Sequence, residues 1–288
     1  MLTMVAAFSG FIMAVLLPTR KTGDLLAGMW QLLSGLGGVP KMLVWDNESG
    51  IGQHHSLTQG ARGFAGTLGT RIYQTAARDP EAKGIVERAN GFLETSFMPG
   101  RDFDSPGEFN TQLAAWLPRA STRVLRRTGE QPGHRVTADV AAMGALPPIA
   151  PLVGTSERVR LGRDYYVRIA GNDYSVDPTV IGRFVDVHAD LTIVRITCVG
   201  RDVGVHQRCW SSHQTITDPA HVLTAAGLRT AFQARTTVMR GPTTRPASDV
   251  SAVVGVRALS DYDDLFDLTP AVTDTAAVAA RARLEVVR

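Results

Sequence analysis

Two carboxylates in this chain stand where their positions could do chemistry. Asp46 ends the mostly apolar run "KMLVW" and is followed at once by Asn47, Glu48 and a glycine-rich turn, the pattern of a buried strand that delivers an acid to the edge of a sheet. Glu87 falls two turns into "RDPEAKGIVERANGFLETSF", whose Asp79 and Pro80 read as a helix start and whose Val86, Ala89, Leu93 and Phe97 form an apolar stripe. Lys83, Glu87 and Glu94 share the neighbouring face, and Gly84 would let another backbone come close. A carboxylate placed this way can reach over a sheet end towards Asp46. Convergent carboxylates hold divalent ions for phosphoryl transfer, where two ions roughly 3.5 to 4 Å apart stabilise the attacking and leaving oxygens. Hard oxygen ligands select Mg²⁺ or Mn²⁺. The plainer readings, Asp46 as a turn or capping residue and Glu87 on a solvated face, stand beside this one.

Other residue sets offer less. His54 and His55 follow Asp46 in a loop, within reach of a metal or a phosphate or simply polar. Cys198, Cys209 and His213 invite a zinc reading, but their gaps of ten and three residues fit no usual knuckle. Ser49 and Ser56 have no general base arranged around them. Arg119, Arg123, Arg126 and Arg127 fall at i, i+4, i+7 and i+8, so the spacing predicts one basic helix face, either solvated or tracking phosphates. Arg158, Arg160, Arg163 and Arg168 suggest a similar role further on, diluted by seven acids between residues 157 and 202.

The elements that must position these residues follow from periodicity. The first eighteen residues carry no charge; Ser9-Gly10 divides them, and Arg20 and Lys21 follow the run where a signal peptide's basic residues would precede it. They read as a strand hairpin, against the alternative of a targeting segment. A helix follows with Leu25, Leu26, Met29, Trp30, Leu32 and Leu33 at helical spacing and Thr22 as its cap; then come the Asp46 strand, a short helix over 58–69, a strand over 71–76 and the Glu87 helix. One or two further helices are expected over 105–130, with "RASTRVLRRTGEQPGHR" basic. That order gives an α/β layer with mixed strand directions. "MGALPPIAPLVG" (143–154) reads as a linker. Beyond it the period becomes two, with turn signals at Gly171-Asn172, Gly182, Ala189-Asp190 and Gly200-Arg201, which predicts about six short strands in a small closed or nearly closed barrel. The tail, with its acidic "SDYDDLFD", is expected to be partly helical and partly disordered.

The composition fits a globular protein: 288 residues, 44% hydrophobic and 20% charged, with net charge +3. Lysine occurs only as Lys21, Lys41 and Lys83, so the positive charge is nearly all arginine, whose planar fork suits bidentate phosphate contacts. Two cysteines make no disulfide framework, and a cytoplasmic setting without a membrane is expected.

The run "VWDNESGIG", followed by "AKGIVERANGFLE", resembles the second half of the catalytic core shared by retroviral integrases and DDE transposases, most closely the IstA-type transposases of insertion sequences. The segment "YYVRIAGNDYSVDP" resembles the barrel that follows that core in IstA-type and phage Mu transposases, so the likeness spans roughly residues 1 to 225. The resemblance implies an RNase H-like integrase core over 1–130, a linker over 131–155, a small all-β barrel over 156–212 and a partly disordered tail over 213–288. It implies Asp46 and Glu87 as catalytic, metal-ligating acids binding Mg²⁺ or Mn²⁺. Asn47, Lys83, Arg88, Arg119, Arg123, Arg126 and Arg127 become DNA-contacting residues. It also implies DNA cleavage and strand transfer, with transposon-end and target DNA, further copies of the chain and an ATPase helper as partners. One departure matters: the family's first acid lies on a strand before the hairpin, and here no Asp or Glu precedes Asp24. The chain is therefore expected to be an N-terminally truncated fragment lacking the core's first strand, through a truncated gene, a misplaced start codon or a pseudogene. It would be inactive alone, or a DNA-binding or oligomerising remnant that modulates a full-length relative. An RNase H-like nuclease of another kind is a third reading, against which the barrel and linker argue.

Overall fold

The charge-free opening residues form the expected hairpin, and both of its faces are covered. Strands β1 (Leu2–Val5) and β2 (Ile12–Val15) pair antiparallel, with Leu2 opposite Val15 and Val5 opposite Ile12. Alternation sends Leu2, Met4 and Val15 into one apolar core and Ile12 and Ala14 into another. A strand pair buried on two sides has no place for a charge. In the computed structural model, residues 1–46, 48–53, 56–75 and 80–239 are described, with 80–83 and 236–239 described by their backbone alone. Among them no helix is long and apolar enough to cross a membrane.

The first core lies under α1 (Thr22–Leu36), whose Leu25, Leu26, Met29 and Leu33 are buried as the spacing predicts. Lys21, not Thr22, occupies the cap position, and it makes no side-chain cap bond; Gly37 ends the helix at φ 85°. Strand β3 (Met42–Trp45) follows, then a two-residue pair, β4 (Gly52–Gln53) with β5 (Ser56–Leu57). Helix α2 (Gln59–Leu68) is capped by the Thr58 hydroxyl, which accepts from the Ala61 N–H. Strand β6 (Arg71–Gln74) then lies parallel to β3, Leu43 opposite Ile72 and Trp45 opposite Gln74. The hairpin and the β3–β6 pair are separate two-stranded sheets among the described residues.

The second core is built by α3 (Pro80–Ser96) and α4 (Pro106–Ala120) against the hairpin. Ala89, Leu93 and Phe97 meet Leu113, and Phe103, Phe109 and Trp116 pack around Phe97. Ser105 caps α4 through the Glu108 N–H. Here the structure corrects one expectation. Arg119 lies in the last turn of α4, but Arg123, Arg126 and Arg127 lie in turns before α5 (Pro132–Ala142), not on one helix face. Pro118 removes a donor from the last helical turn, the Ser121 and Thr122 hydroxyls bond back to Pro118 O and Arg119 O, and Gly129 sits at φ 68°. The chain turns away instead of continuing the helix.

Residues 143–154 run against the first half. Val39 and Gly144 exchange both backbone hydrogen bonds, and Leu146 and Val153 pack on the first core. The second half contains β7 (Thr155–Arg160), β8 (Tyr166–Ile169), β9 (Asn172–Ser175), β10 (Phe184–Ala189), β11 (Ile193–Cys198), β12 (Arg201–Gln207) and β13 (Thr215–Ile216), followed by α6 (Pro219–Met239). They form a four-stranded sheet in the order β12-β11-β10-β7 and a three-stranded sheet in the order β13-β9-β8, around a core of Val167, Tyr174, Val185, Val194 and Ile196. No barrel closes. One backbone bond, Asp177 N–H to Val203 O, joins the end of β9 to β12, and the described strands make no further ladder between the sheets. Alternation shows which face each strand buries, and closure depends on pairings that alternation does not encode. Residues Met1–Arg235 form one compact unit. The expectations for Asn47, His54, His55, Asp79 and the tail from residue 240 lie outside the described residues, as does the side chain of Lys83.

Candidate active site

Asp46 and Glu87 line the same cavity. It measures about 480 Å³ and opens between β1, the end of β3 and the middle of α3. Asp46 is carried there because β3 stops at Trp45: the Thr75 N–H donates to Trp45 O at 2.9 Å, and the chain then turns, with the Glu48 N–H on Asp46 O at 2.8 Å. Thr75 Oγ1 stands 3.5 Å from Asp46 Oδ1, the outer limit of a hydrogen bond. Glu87 arrives from α3, one residue past Val86 and three before Asn90, which line the cavity with it. Burial of Ala89 and Leu93 fixes the roll of the helix, so the adjoining exposed face carries Glu87 over the strand end.

The cavity holds a third carboxylate that spacing did not single out. Glu48 lies on its wall and is bonded to Arg20 Nε at 2.6 Å, and that contact holds the exposed Arg20 above its ordinary pKa. Its place two residues after Asp46 was a visible signal; the arginine partner, 28 residues away, was not. Asp24, the earliest acid of the chain, is elsewhere. It is buried and forked by Arg208, whose Nη1 and Nη2 lie 2.6 and 3.0 Å from its two oxygens. Among the described residues no three His, Cys, Asp or Glu side chains converge closely enough to form a ready metal cage. Two carboxylates at an open cavity do fit Mg²⁺ or Mn²⁺, which bind proteins through one or two carboxylates and keep the rest of the shell for water and phosphate oxygens.

The remaining candidates fall apart spatially. Arg88 points from α3 towards a second cavity, which Arg123, Arg126 and Arg127 also line, while Arg119 is not among its lining residues. Cys198 is buried in the β core and Cys209 is half-exposed, both as free thiols. Arg158 and Arg168 lie beside Asp186 and Asp173, at 3.7 and 3.9 Å.

Comparison with known proteins adds what the geometry lacks. Residues 146–218 match the family described as Mu transposase, C-terminal domain. A protein named as a transposase from Mycobacterium tuberculosis is 28% identical over 186 residues, covering 62% of this chain and 45% of its own length. Another, named for insertion sequence IS408 of Burkholderia multivorans, is 24% identical over 221 residues, covering 73% of this chain and 43% of its own. A chain in the cryo-EM structure of a simian T-cell lymphotropic virus intasome with PP2A regulatory subunit B56 gamma superposes with a TM-score of 0.38 at 19% identity, over 75% of this chain and 72% of that one. The chain spans less than half the length of these curated relatives. Residues 146–218 are thus similar to the Mu transposase C-terminal domain, and the chain as a whole is similar to proteins named as insertion-sequence transposases.

Proposed function

We infer that the chain serves DNA transposition as part of a DDE-type transposase, with Asp46 and Glu87 as metal-ligating acids of its polynucleotidyl-transfer site. The observation that carries this reading is that both acids, from a strand end and a separate helix, line one cavity in a relative of insertion-sequence transposases. The parallel β3–β6 pair, the hairpin and α3 correspond on this reading to an RNase H-like integrase core over 1–130. Residues 131–155 connect that core to the β domain over 156–212, and 213–288 form a tail.

Mg²⁺ or Mn²⁺ held there would stabilise the charge that builds on phosphate oxygens during in-line displacement. The protein's part is to fix two carboxylates on rigid elements, so that little reorganisation remains when DNA binds. Asn47, Lys83 and Arg88 flank those acids in sequence and are the nearest candidates for DNA contact. The partners are transposon-end and target DNA, further copies of the chain and an ATPase helper, and the setting is the cytoplasm.

A second reading has its own support. Among the described residues Asp24 is bonded to Arg208 and Glu48 to Arg20, so neither is poised to join Asp46 and Glu87 on a metal. A non-catalytic DNA-binding or oligomerising role beside a full-length transposase fits that arrangement.

Mn²⁺ binding followed by electron paramagnetic resonance tests the site. Asp46→Asn and Glu87→Gln are each expected to weaken it by about tenfold or more, a size ordinary for loss of a ligand-shell group. Equal affinity in the parent and both variants overturns the assignment. Mg²⁺-dependent strand transfer by the polypeptide alone, on insertion-sequence end DNA, decides between the two roles: its absence is expected, and its presence overturns the non-catalytic one.

A further inference from the structure

Helix α3 divides two surfaces at adjacent residues. Glu87 lines the acid cavity and Arg88 lines a different one, of about 440 Å³, beside the tip of the hairpin. The charged residues lining this second cavity are Arg88, Arg123, Arg126 and Arg127, with no carboxylate among them. None of the four forms an ion pair among the described residues.

Two of these arginines are fixed in place. The Arg123 guanidinium lies 3.7 Å from the centroid of the Phe92 ring, and its buried Nε finds no hydrogen-bond partner among the described residues. Burial lowers its pKa from the ordinary value, the sign of a cation that would gain from an anion nearby. Arg127 is tied through Nη2 to Ala7 O at 3.3 Å. Arg88 and Arg126 are exposed. The floor between them is apolar, formed by side chains such as Ile85, Ile12 and Leu125. Leu125 is held by the hairpin turn: a Cβ on Gly10 would come within 2.7 Å of its Cδ1.

A duplex backbone needs only charge on a surface, whereas four guanidiniums around an apolar concavity suit a phosphate together with a group that has left the base stack. The volume is in the range of sites that take one small molecule, about 300 to 1,000 Å³. We propose that this cavity binds a nucleotide of unpaired DNA, its phosphate on the arginines and its base against Ile85 and Leu125. The proposal rests on the transposition reading for the choice of DNA as the polymer, but not on the acids.

The test is fluorescence anisotropy with the full 288-residue chain in EDTA, so that metal at the acids plays no part. The probes are a dT oligomer, a blunt duplex of equal length and the same duplex with a short single-stranded overhang. Arg88→Gln with Arg126→Gln removes two exposed charges and leaves the cores intact. It is expected to weaken binding of the oligomer and the overhang by about tenfold or more and to reduce the oligomer's salt slope by about 0.7, the contribution of one phosphate contact. Binding of the blunt duplex is expected to stay within about twofold of the parent. Leu125→Gln keeps the charge, and is expected to weaken the oligomer with an unchanged salt slope. Equal losses on all three probes would mean a plain basic surface, and no loss would mean that the cavity binds nothing; either result overturns the proposal. So does complete displacement of the oligomer by inorganic phosphate at unchanged ionic strength, the mark of a simple anion site. Asp46→Asn and Glu87→Gln are expected to leave the oligomer's affinity unchanged, so failure of the metal assignment and failure of this one are read separately.

Discussion

A single histidine links the last described helix to the β core. His221, on the first turn of α6, shares a hydrogen bond of 2.8 Å between its Nδ1 and the Ser175 hydroxyl of β9, while the Asp218 N–H donates to that same hydroxyl. Burial, with His206 nearby, holds the His221 pKa below its ordinary value despite Asp218 and Asp177. A folded-state pKa below the unfolded one means that the unfolded chain takes up a proton first as pH falls. Stability is then full above about pH 6.5 and declines from there down to the folded pKa, by at most about 1.4 kcal/mol per pH unit for one group. Thermal melts from neutral to mildly acid pH should show this decline, and His221→Gln should flatten it; an equally steep decline in that variant would exclude His221 as its source. Nothing in local spacing marked His221, because its partner lies 46 residues away. Asp46 and Glu87 were legible for the opposite reason. A strand end and a helix stripe are local patterns, and both acids owe their place to them.

The turns carry more of the element-scale information than the strands do. β8–β9 and β11–β12 are joined by tight turns at Ala170-Gly171 and Val199-Gly200, with φ of 49° and 84° in the first and 51° and 75° in the second. Both central residues at positive φ make these type I′ turns, whose twist matches that of the flanking strands. The glycines pointed to each turn one residue too late, since a turn of this type needs a second left-handed residue before the glycine. Val199 fills that place poorly. A β-branched residue is strained at positive φ, and at 86% exposure it has no packing to lose. Val199→Asn should therefore stabilise the protein by about 1 kcal/mol. Chemical denaturation reads this as a higher midpoint at unchanged slope, and a lower midpoint would show that Val199 contributes a contact. The arginine segment teaches the complementary lesson. Its i, i+4, i+7, i+8 spacing was real, yet Pro118, hydroxyl back-bonding and Gly129 broke the helix. Three of the four arginines still line one cavity, which they reach through turns packed against the hairpin rather than along a helix face.

At the scale of the molecule, one ion pair ties the two halves together. Asp24 on α1 and Arg208 just past β12 are 184 residues apart in sequence, and their side chains are 2% and 3% exposed. Thr19 Oγ1 donates to Asp24 Oδ2 at 2.5 Å, and Arg208 Nη1 also reaches Asp190 O at 2.6 Å. Beside them the Gly154 N–H bonds to Gly23 O, and a Cβ on Gly23 would lie 2.5 Å from Gly154 O. The 143–154 segment, which composition marks as a linker, is thus held close at a junction. No sequence pattern exposes such a pair, because Asp24 looks like an ordinary first-turn acid and Arg208 like one more surface arginine. Desolvating two charges is costly, so the pair itself adds little net stability, but leaving either partner alone in that site costs about 3 to 5 kcal/mol. Asp24→Asn should therefore destabilise the protein by about that amount, and Asp24→Leu combined with Arg208→Met should recover most of it. In calorimetry the parent should melt in one transition over residues 1–235, while Asp24→Asn should separate the β half from the α/β half into two. A single transition in that variant, within about 1 kcal/mol of the parent, would show that backbone contacts such as Gly23–Gly154 and Val39–Gly144 hold the junction without the ion pair.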